Sequence, residues 1–232
     1  GDFLQCADSM KTKHPSFNRI ADERAASKVA ADSKPAKHDR TGQVRIIGGQ
    51  WKRSKLPVLP KPGLRPTPDR VRETLFNWLG QDLSGLRCVD AFAGSGALGF
   101  EAASRGAQDV LLIEQDAHLA AHLLAQSVRL KAQNIRVQRG DGVLTLGALA
   151  AGSVDVVFLD PPFGSDLFLK AIEAAARAVT AQGAIYLEAP LAWTNEMLKA
   201  AGLNVVKHGR AGAVYFHLLQ KLGDFERGAA EK

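Results

Sequence analysis

Five short apolar runs dominate the second part of the chain: RCVDAF (87–92), DVLLIE (109–114), NIRVQ (134–138), VDVVFL (154–159) and GAIYLE (183–188). Segments with helical spacing separate or follow them, near 97–105, 116–131, 142–150, 166–179 and 192–201. Runs this short, alternating with helices, dictate a mostly parallel sheet with helices on both faces. Two more strands, near 203–209 and 213–221, have only a Gly-containing turn between them. A parallel pair needs a long crossover, so this last connection makes an antiparallel hairpin. The expected fold is α/β, a seven-stranded, mostly parallel, doubly wound sheet.

Upstream, VRII (44–47) and LPVL (56–59) flank the turn GGQWKRSK and predict a small N-terminal β-hairpin extension. KPGLRPTP (61–68) is too rich in proline for a helix. Pro68 then stands where a helix can start, with Asp69 and Glu73 in its early turns. Val71, Leu75, Trp78 and Leu79 extend the helical spacing, giving a helix over 68–79 with Trp78 packed in the core. Residues 1–39 are mixed in sign and lack periodicity, so a disordered tail is expected there. The expected division is tail 1–39, hairpin and helix 40–80, main domain 81–223 and a flexible terminus 224–232.

Charge is unevenly placed. Residues 1–80 hold 16 Lys/Arg and 8 Asp/Glu, whereas 81–232 hold 14 and 16. Between 40 and 72 nine basic residues face one acid, Asp69. A basic segment on a near-neutral body points to contact with a phosphate backbone. No apolar run approaches the ~20 residues of a membrane span, and the N-terminal stretch lacks the apolar core of a signal peptide. The two cysteines, Cys6 and Cys88, lie in a polar tail and an apolar strand, so no disulfide is expected. A cytoplasmic protein without membrane or metal is the expectation. His118 and His122, at i and i+4, lack a third ligand nearby and read as surface histidines.

The strand at 87–92 runs into Gly94-Ser95-Gly96-Ala97-Leu98-Gly99, a G-x-G-x-x-G loop that opens a helix. In the first unit of an α/β domain such a loop cradles a cofactor. Two ligand classes compete. A dinucleotide would set its pyrophosphate on the helix N-terminus, with Glu114 on its ribose. Asp90 stands just before the loop and would repel a pyrophosphate. It suits S-adenosylmethionine, which has no phosphate and carries an ammonium and a sulfonium. Glu114 serves the ribose of that cofactor equally, and Asp141 can accept from the adenine amino group of either ligand. The candidate cofactor residues are therefore Asp90, Phe92, Gly94, Ser95, Gly96, Glu114, Gln115, Asp141 and Gly142. Any one acid at a strand end is ordinarily a cap or turn residue. Asp90, Glu114, Asp141 and Asp160, ending four successive strands around a switch-point crevice, read as a site.

The strand 154–159 ends in Asp160-Pro161-Pro162-Phe163. In a doubly wound sheet it lies beside the glycine-loop strand. An exocyclic amino group on a base is a poor nucleophile, because its lone pair is delocalised into the ring. Acceptors on its two hydrogens, the Asp160 carboxylate and the Pro161 carbonyl, would free that lone pair. The stiff Pro161-Pro162 pair fixes the carbonyl, and Phe163 offers a ring face for stacking on the base. Asp160 stabilises positive charge developing on nitrogen and can take the proton.

VRIIGGQWKRSKLPV, GLRPTPDRVRETLFNWL (63–79), VDAFAGSGALGFEAASRGA (89–107) and FLDPPF together resemble the bacterial 16S ribosomal RNA guanine-N2 methyltransferase family, RsmD. The resemblance spans roughly 44–221, and RPTPDRVRETLFNWL is its specific part. It implies a Rossmann-like class I S-adenosylmethionine-dependent methyltransferase in which DPPF is the catalytic loop. It also implies RNA contact by the hairpin and the Arg-rich segment, and a guanine of 16S rRNA in the small ribosomal subunit as substrate. Lys52, Arg53, Lys55, Arg65, Arg70 and Arg72 are the expected phosphate ligands. The 63–68 connection is expected over the cofactor crevice, with Thr67 near the target base. The chain is expected to act as a monomer. The tail 1–39 departs from the family pattern. An N6-adenine DNA methyltransferase would use the same chemistry but needs a target-recognition domain for which little chain remains. A nicotinamide-dependent dehydrogenase conflicts with Asp90 and DPPF, and a silent RNA-binding module conflicts with the intact acids.

Overall fold

The computed structural model describes residues 42–164 and 166–223. The expected tail 1–39 and terminus 224–232 lie outside the described residues, as does Cys6. Seven strands form the central sheet: β3 (Arg87–Asp90), β4 (Asp109–Glu114), β5 (Ile135–Arg139), β6 (Val154–Leu159), β7 (Val179–Ala189), β8 (Leu203–Ala211) and β9 (Val214–Lys221). β1 (Gln43–Arg45) and β2 (Lys55–Pro57) pair as a separate antiparallel hairpin. The sheet order is β5-β4-β3-β6-β7-β9-β8. Its first five strands are parallel, and β9 runs antiparallel to β7 and β8. The chain winds outward from β3 to β5, then returns to lay β6 on the other side of β3. That reversal opens the crevice at the carboxyl ends of β3 and β6.

Side-chain alternation splits the core in two. Cys88, Val156, Phe158 and Tyr186 face α1 (Asp69–Leu79), α2 (Ala97–Ser104), α3 (Ala117–Arg129) and the hairpin residues Val44, Ile46 and Leu56. Val89, Val157, Leu159 and Leu187 face α4 (Gly142–Ala148), α5 (Leu167–Ala178) and α6 (Asn195–Leu198). Trp78 lies where its helical spacing puts it, stacked on Phe216 with ring centroids 5.4 Å apart. The helix expected over 192–201 is a correction. Trp193 is buried and stacked on Phe168, and Thr194 caps a helix that begins only at Asn195 and passes into a short 3-10 turn. β7 likewise starts at Val179, directly after α5, rather than at Gly183.

α2 is buried along its whole length yet carries a charge, Glu101. Both its oxygens are filled. Oε1 accepts from the Gly48 N–H and Arg105 Nε, each at 2.8 Å. Oε2 accepts from the Ile47 N–H at 2.9 Å and from Arg72 Nη1 at 3.0 Å. Arg72, expected to hold a phosphate, is only 1% exposed and also donates to Asp69, to the Arg45 carbonyl and to the Thr67 carbonyl. It is an internal clamp and cannot reach RNA phosphate. Its burial follows from its place on the α1 face shared with Leu75 and Phe76. Glu101 thereby fastens the hairpin and α1 to α2.

Candidate active site

β3 delivers the glycine loop to the crevice. Gly94 and Gly96 both have positive φ, 50° and 77°. A Cβ on Gly96 would lie 2.6 Å from Phe100 and 2.7 Å from Leu123, so the turn packs with no room for a side chain. α2 has no side-chain cap of its own at Gly96. Asp90 supplies the acceptor from the end of β3: its Oδ2 takes the Gly99 N–H at 3.1 Å. Ser95 is buried, and Phe92 is half-buried.

The other strand-end acids each have local backbone partners. Glu114 accepts from the Gly94 N–H at 2.9 Å through Oε2 and from the Asp116 N–H at 2.8 Å through Oε1. It thus ties β4 to the glycine loop. Asp141 caps α4, accepting from the Leu144 N–H at 2.9 Å. Gly142 packs against β3, since a Cβ there would meet the Ala91 carbonyl at 2.1 Å and Phe92 at 3.4 Å. Gln115 is exposed beside Glu114. Asp90, Glu114, Asp141 and the glycine loop therefore line one sheet edge.

β6 hydrogen-bonds to β3, with Asp90 opposite Phe158. Asp160 follows two residues later, on the same face as Phe158 by alternation. Pro161 is buried, while Phe163 is 47% exposed. Behind the Phe163 ring stand Phe168, at 6.5 Å between centroids, and then Trp193 at 6.3 Å. An exposed ring with an aromatic backing is a platform for a flat apolar partner. Burial is the main cause that raises Asp160 well above the usual carboxylate range, and the neighbouring Glu188 and Asp90 add to it. Burial likewise pushes Asp90 up to about 7, partly opposed by its Gly99 hydrogen bond.

Glu188 was not singled out from sequence. It is the penultimate residue of β7, is buried, and accepts from Thr67 Oγ1 at 2.6 Å and from the Tyr186 hydroxyl at 3.0 Å. The signal was present, because IYLE ends a strand in an acid as LLIE and VFLD do.

The connection between hairpin and α1 lies over this edge. Lys61 ion-pairs with Asp116 at the start of α3. Leu64 sits so close to the glycine loop that a Cβ on Gly94 would be 3.0 Å from its Cδ1. Thr67 is buried against Glu188. Residues 61–67 thus form a strap from the α3 end, past the glycine loop, to β7. Of the expected phosphate ligands, Lys52, Arg53, Lys55, Arg65 and Arg70 are exposed. His118 is exposed, whereas His122 Nε2 bonds the Pro57 carbonyl at 2.7 Å and helps dock the hairpin on α3.

Residues 44–220 match the family model described as conserved hypothetical protein 95. A relative from Escherichia coli (strain K12), named ribosomal RNA small subunit methyltransferase D, is 49% identical over 139 residues, 60% of this chain and 70% of its own. The Haemophilus influenzae protein of that name is 46% identical over 138 residues, 56% of this chain and 69% of its own. A solved Escherichia coli structure, provisionally described as a methyltransferase, superposes with a TM-score of 0.68 at 42% identity. It covers 79% of this chain and 100% of its own. Matched over most of its length by that family model, the chain belongs to the conserved hypothetical protein 95 family, the family of ribosomal RNA small subunit methyltransferase D.

Proposed function

We propose that the chain transfers a methyl group from S-adenosylmethionine to the exocyclic N2 of a guanine in the 16S rRNA of the small ribosomal subunit, in the cytoplasm. The observation that carries this reading is the hydrogen-bonded adjacency of β3 and β6, which sets the glycine loop beside Asp160-Pro161-Pro162-Phe163.

The crevice suits that cofactor. Gly94 and Gly96 give the loop the positive-φ turn that brings its backbone to the crevice. The side chains that converge there, Asp90, Glu114 and Asp160, are acceptors and acids, which favours a cation bearing hydroxyls over a phosphate. Asp90 and the glycine loop would hold its amino-acid end, Glu114 its ribose, and Asp141 with Gly142 and Phe92 its base. When bound, S-adenosylmethionine supplies a methyl group on a positively charged sulfur. The chain supplies the rest. Asp160 and the Pro161 carbonyl accept from the two hydrogens of the amino group and orient its lone pair. Phe163 stacks on the base, and its Phe168 backing holds the ring in place. Asp160 takes the proton that nitrogen must lose. Lys52, Arg53, Lys55, Arg65 and Arg70 contact phosphates along the RNA.

The test offers labelled cofactor to small subunits lacking the modification, to free 16S rRNA and to duplex DNA, and identifies the methylated nucleoside. N2-methylguanosine from the subunit is expected. N6-methyladenine from DNA, or no label in any arm, would overturn the substrate.

Cofactor binding should also depend on pH. Asp90 titrates near 7 in the ligand-free chain. A cation binds the carboxylate and not the acid, so binding expels protons. Affinity should therefore rise as pH goes from about 6 to about 7.5, by up to tenfold per proton released per pH unit. Calorimetry in two buffers of different ionisation enthalpy reads the proton count directly. A count of zero at pH 6.5 would remove Asp90 from the cation's surroundings.

A further inference from the structure

Glu188 has no role in the scheme above, yet it stands next to the reacting centre. β6 and β7 run parallel with Leu159 opposite Leu187. Asp160 and Glu188 come next on each strand and are lateral neighbours at the carboxyl edge. Alternation sets both on the face of Phe158 and Tyr186, the side covered by α1 and α2.

Two hydroxyls converge on one oxygen of Glu188. Thr67 Oγ1 and the Tyr186 hydroxyl both reach Oε1, and both bonds are buried. Oε1 accepts from each, so a proton on Glu188 has only Oε2 to occupy. The Thr67 end is anchored in turn, because Arg72 Nε donates to the Thr67 carbonyl at 3.2 Å. Arg72 is locked by Glu101. A buried carboxyl held by one hydroxyl from the strap and one from its own strand is costly to maintain as packing alone. Its partners also stabilise the charged form: the Thr67 and Tyr186 hydrogen bonds oppose the effect of burial on Glu188.

We propose that Glu188 is a positioning residue for the transfer step: its negative charge, held in place by Thr67 and Tyr186, makes the neighbouring Asp160 basic enough to accept the proton that leaves the target amino group. This rests on the methyl-transfer reading. The methylated nitrogen bears a positive charge. Its N–H bond breaks, the electron pair stays on nitrogen, and the proton bonds to an Asp160 carboxylate oxygen. Protonating Asp160 also ends its repulsion with Glu188, so the like charge favours the transfer. The groups facing this point are Asp90 from β3, Asp160 from β6, Tyr186 on β7 and Thr67 from the strap, with Arg72 acting through the Thr67 carbonyl.

The test is Glu188→Gln, whose side-chain carbonyl still accepts from Thr67 and Tyr186. With a like charge removed, the acid limb of the kcat–pH profile should move down by about one pH unit. The plateau should fall about tenfold, because Asp160 is then the weaker base. Thr67→Ser keeps the hydroxyl and should keep the wild-type limb. Thr67→Val should move it the same way as Glu188→Gln. A second measurement needs no cofactor. Acids raised in the folded state stabilise below their unfolded value near 4, and that stability is lost as pH rises through the folded value. The ligand-free wild type should therefore lose Tm steadily from about pH 4 through neutrality, and Glu188→Gln should lose less. An active wild type with an unshifted Glu188→Gln profile and an unchanged Tm slope overturns the proposal alone. A wild type that methylates no small-subunit RNA overturns the methyl-transfer reading and the proposal with it.

Discussion

Asp160→Asn should transfer methyl groups at about a thousandth of the wild-type rate or less, within the range for losing a positioned base together with charge stabilisation. Asparagine keeps an acceptor of the same shape and loses only the charge and the capacity to take a proton. The loss should therefore appear in single-turnover rates. Binding of the cofactor, measured separately by calorimetry, should stay within a few-fold of wild type. Asp160 directly follows β6, whereas the glycine loop follows β3, so the two proposed functions sit after different strands. An equal loss of binding and turnover would mean that Asp160 belongs to the cofactor site, and would move the base elsewhere along the edge.

The largest effect on stability is expected from Glu101→Gln. It leaves the Arg72 and Arg105 side chains, 1% and 4% exposed, without their shared counter-charge. Breaking a buried ion pair from one side costs about 3–5 kcal/mol. For a chain of this size that is about 10 °C or more in Tm. Asp69 still pairs with Arg72, and the Arg105 guanidinium still lies 4.7 Å over the Phe76 ring, so the fold should survive. Glutamine keeps one acceptor oxygen, so one of the Ile47 and Gly48 amides loses its partner and should exchange hydrogen much faster than in the wild type, while amides of β3 and β6 change less. A Tm within a degree of wild type would show that the network is replaceable by its outer members.

The sheet, its order about the switch point, the glycine loop and the DPPF edge were legible in the sequence because each is a local pattern. Alternating strands and helices leave few topologies, and strand-end acids fall at one edge by construction of the fold. What the sequence hid was pairing across distance. Arg72 looked like one of nine basic residues in an exposed segment. Only its place beside Leu75 and Phe76 on α1, and the lone Glu101 in an otherwise apolar helix, could have marked it as internal. Thr67 was expected near the base, and its partner Glu188 lies 121 residues away. The expected 192–201 helix failed for a similar reason: Trp193 packs on Phe168 and holds its segment extended. Propensity cannot see such contacts.

Cys88 lies in the middle of β3, two residues before Asp90 and six before the glycine loop. Its thiol is free and buried, and desolvation pushes its pKa up to about 12. An alkylating reagent needs the thiolate, so the folded strand gives it almost nothing to react with. Every modification event at Cys88 is then a record of the central strand having come apart. With Cys6 replaced by serine, the labelling rate becomes a clock for opening of the strand that carries the site. The slowing of that clock by cofactor, or by RNA, would weigh each ligand's grip on the heart of the sheet without any turnover at all.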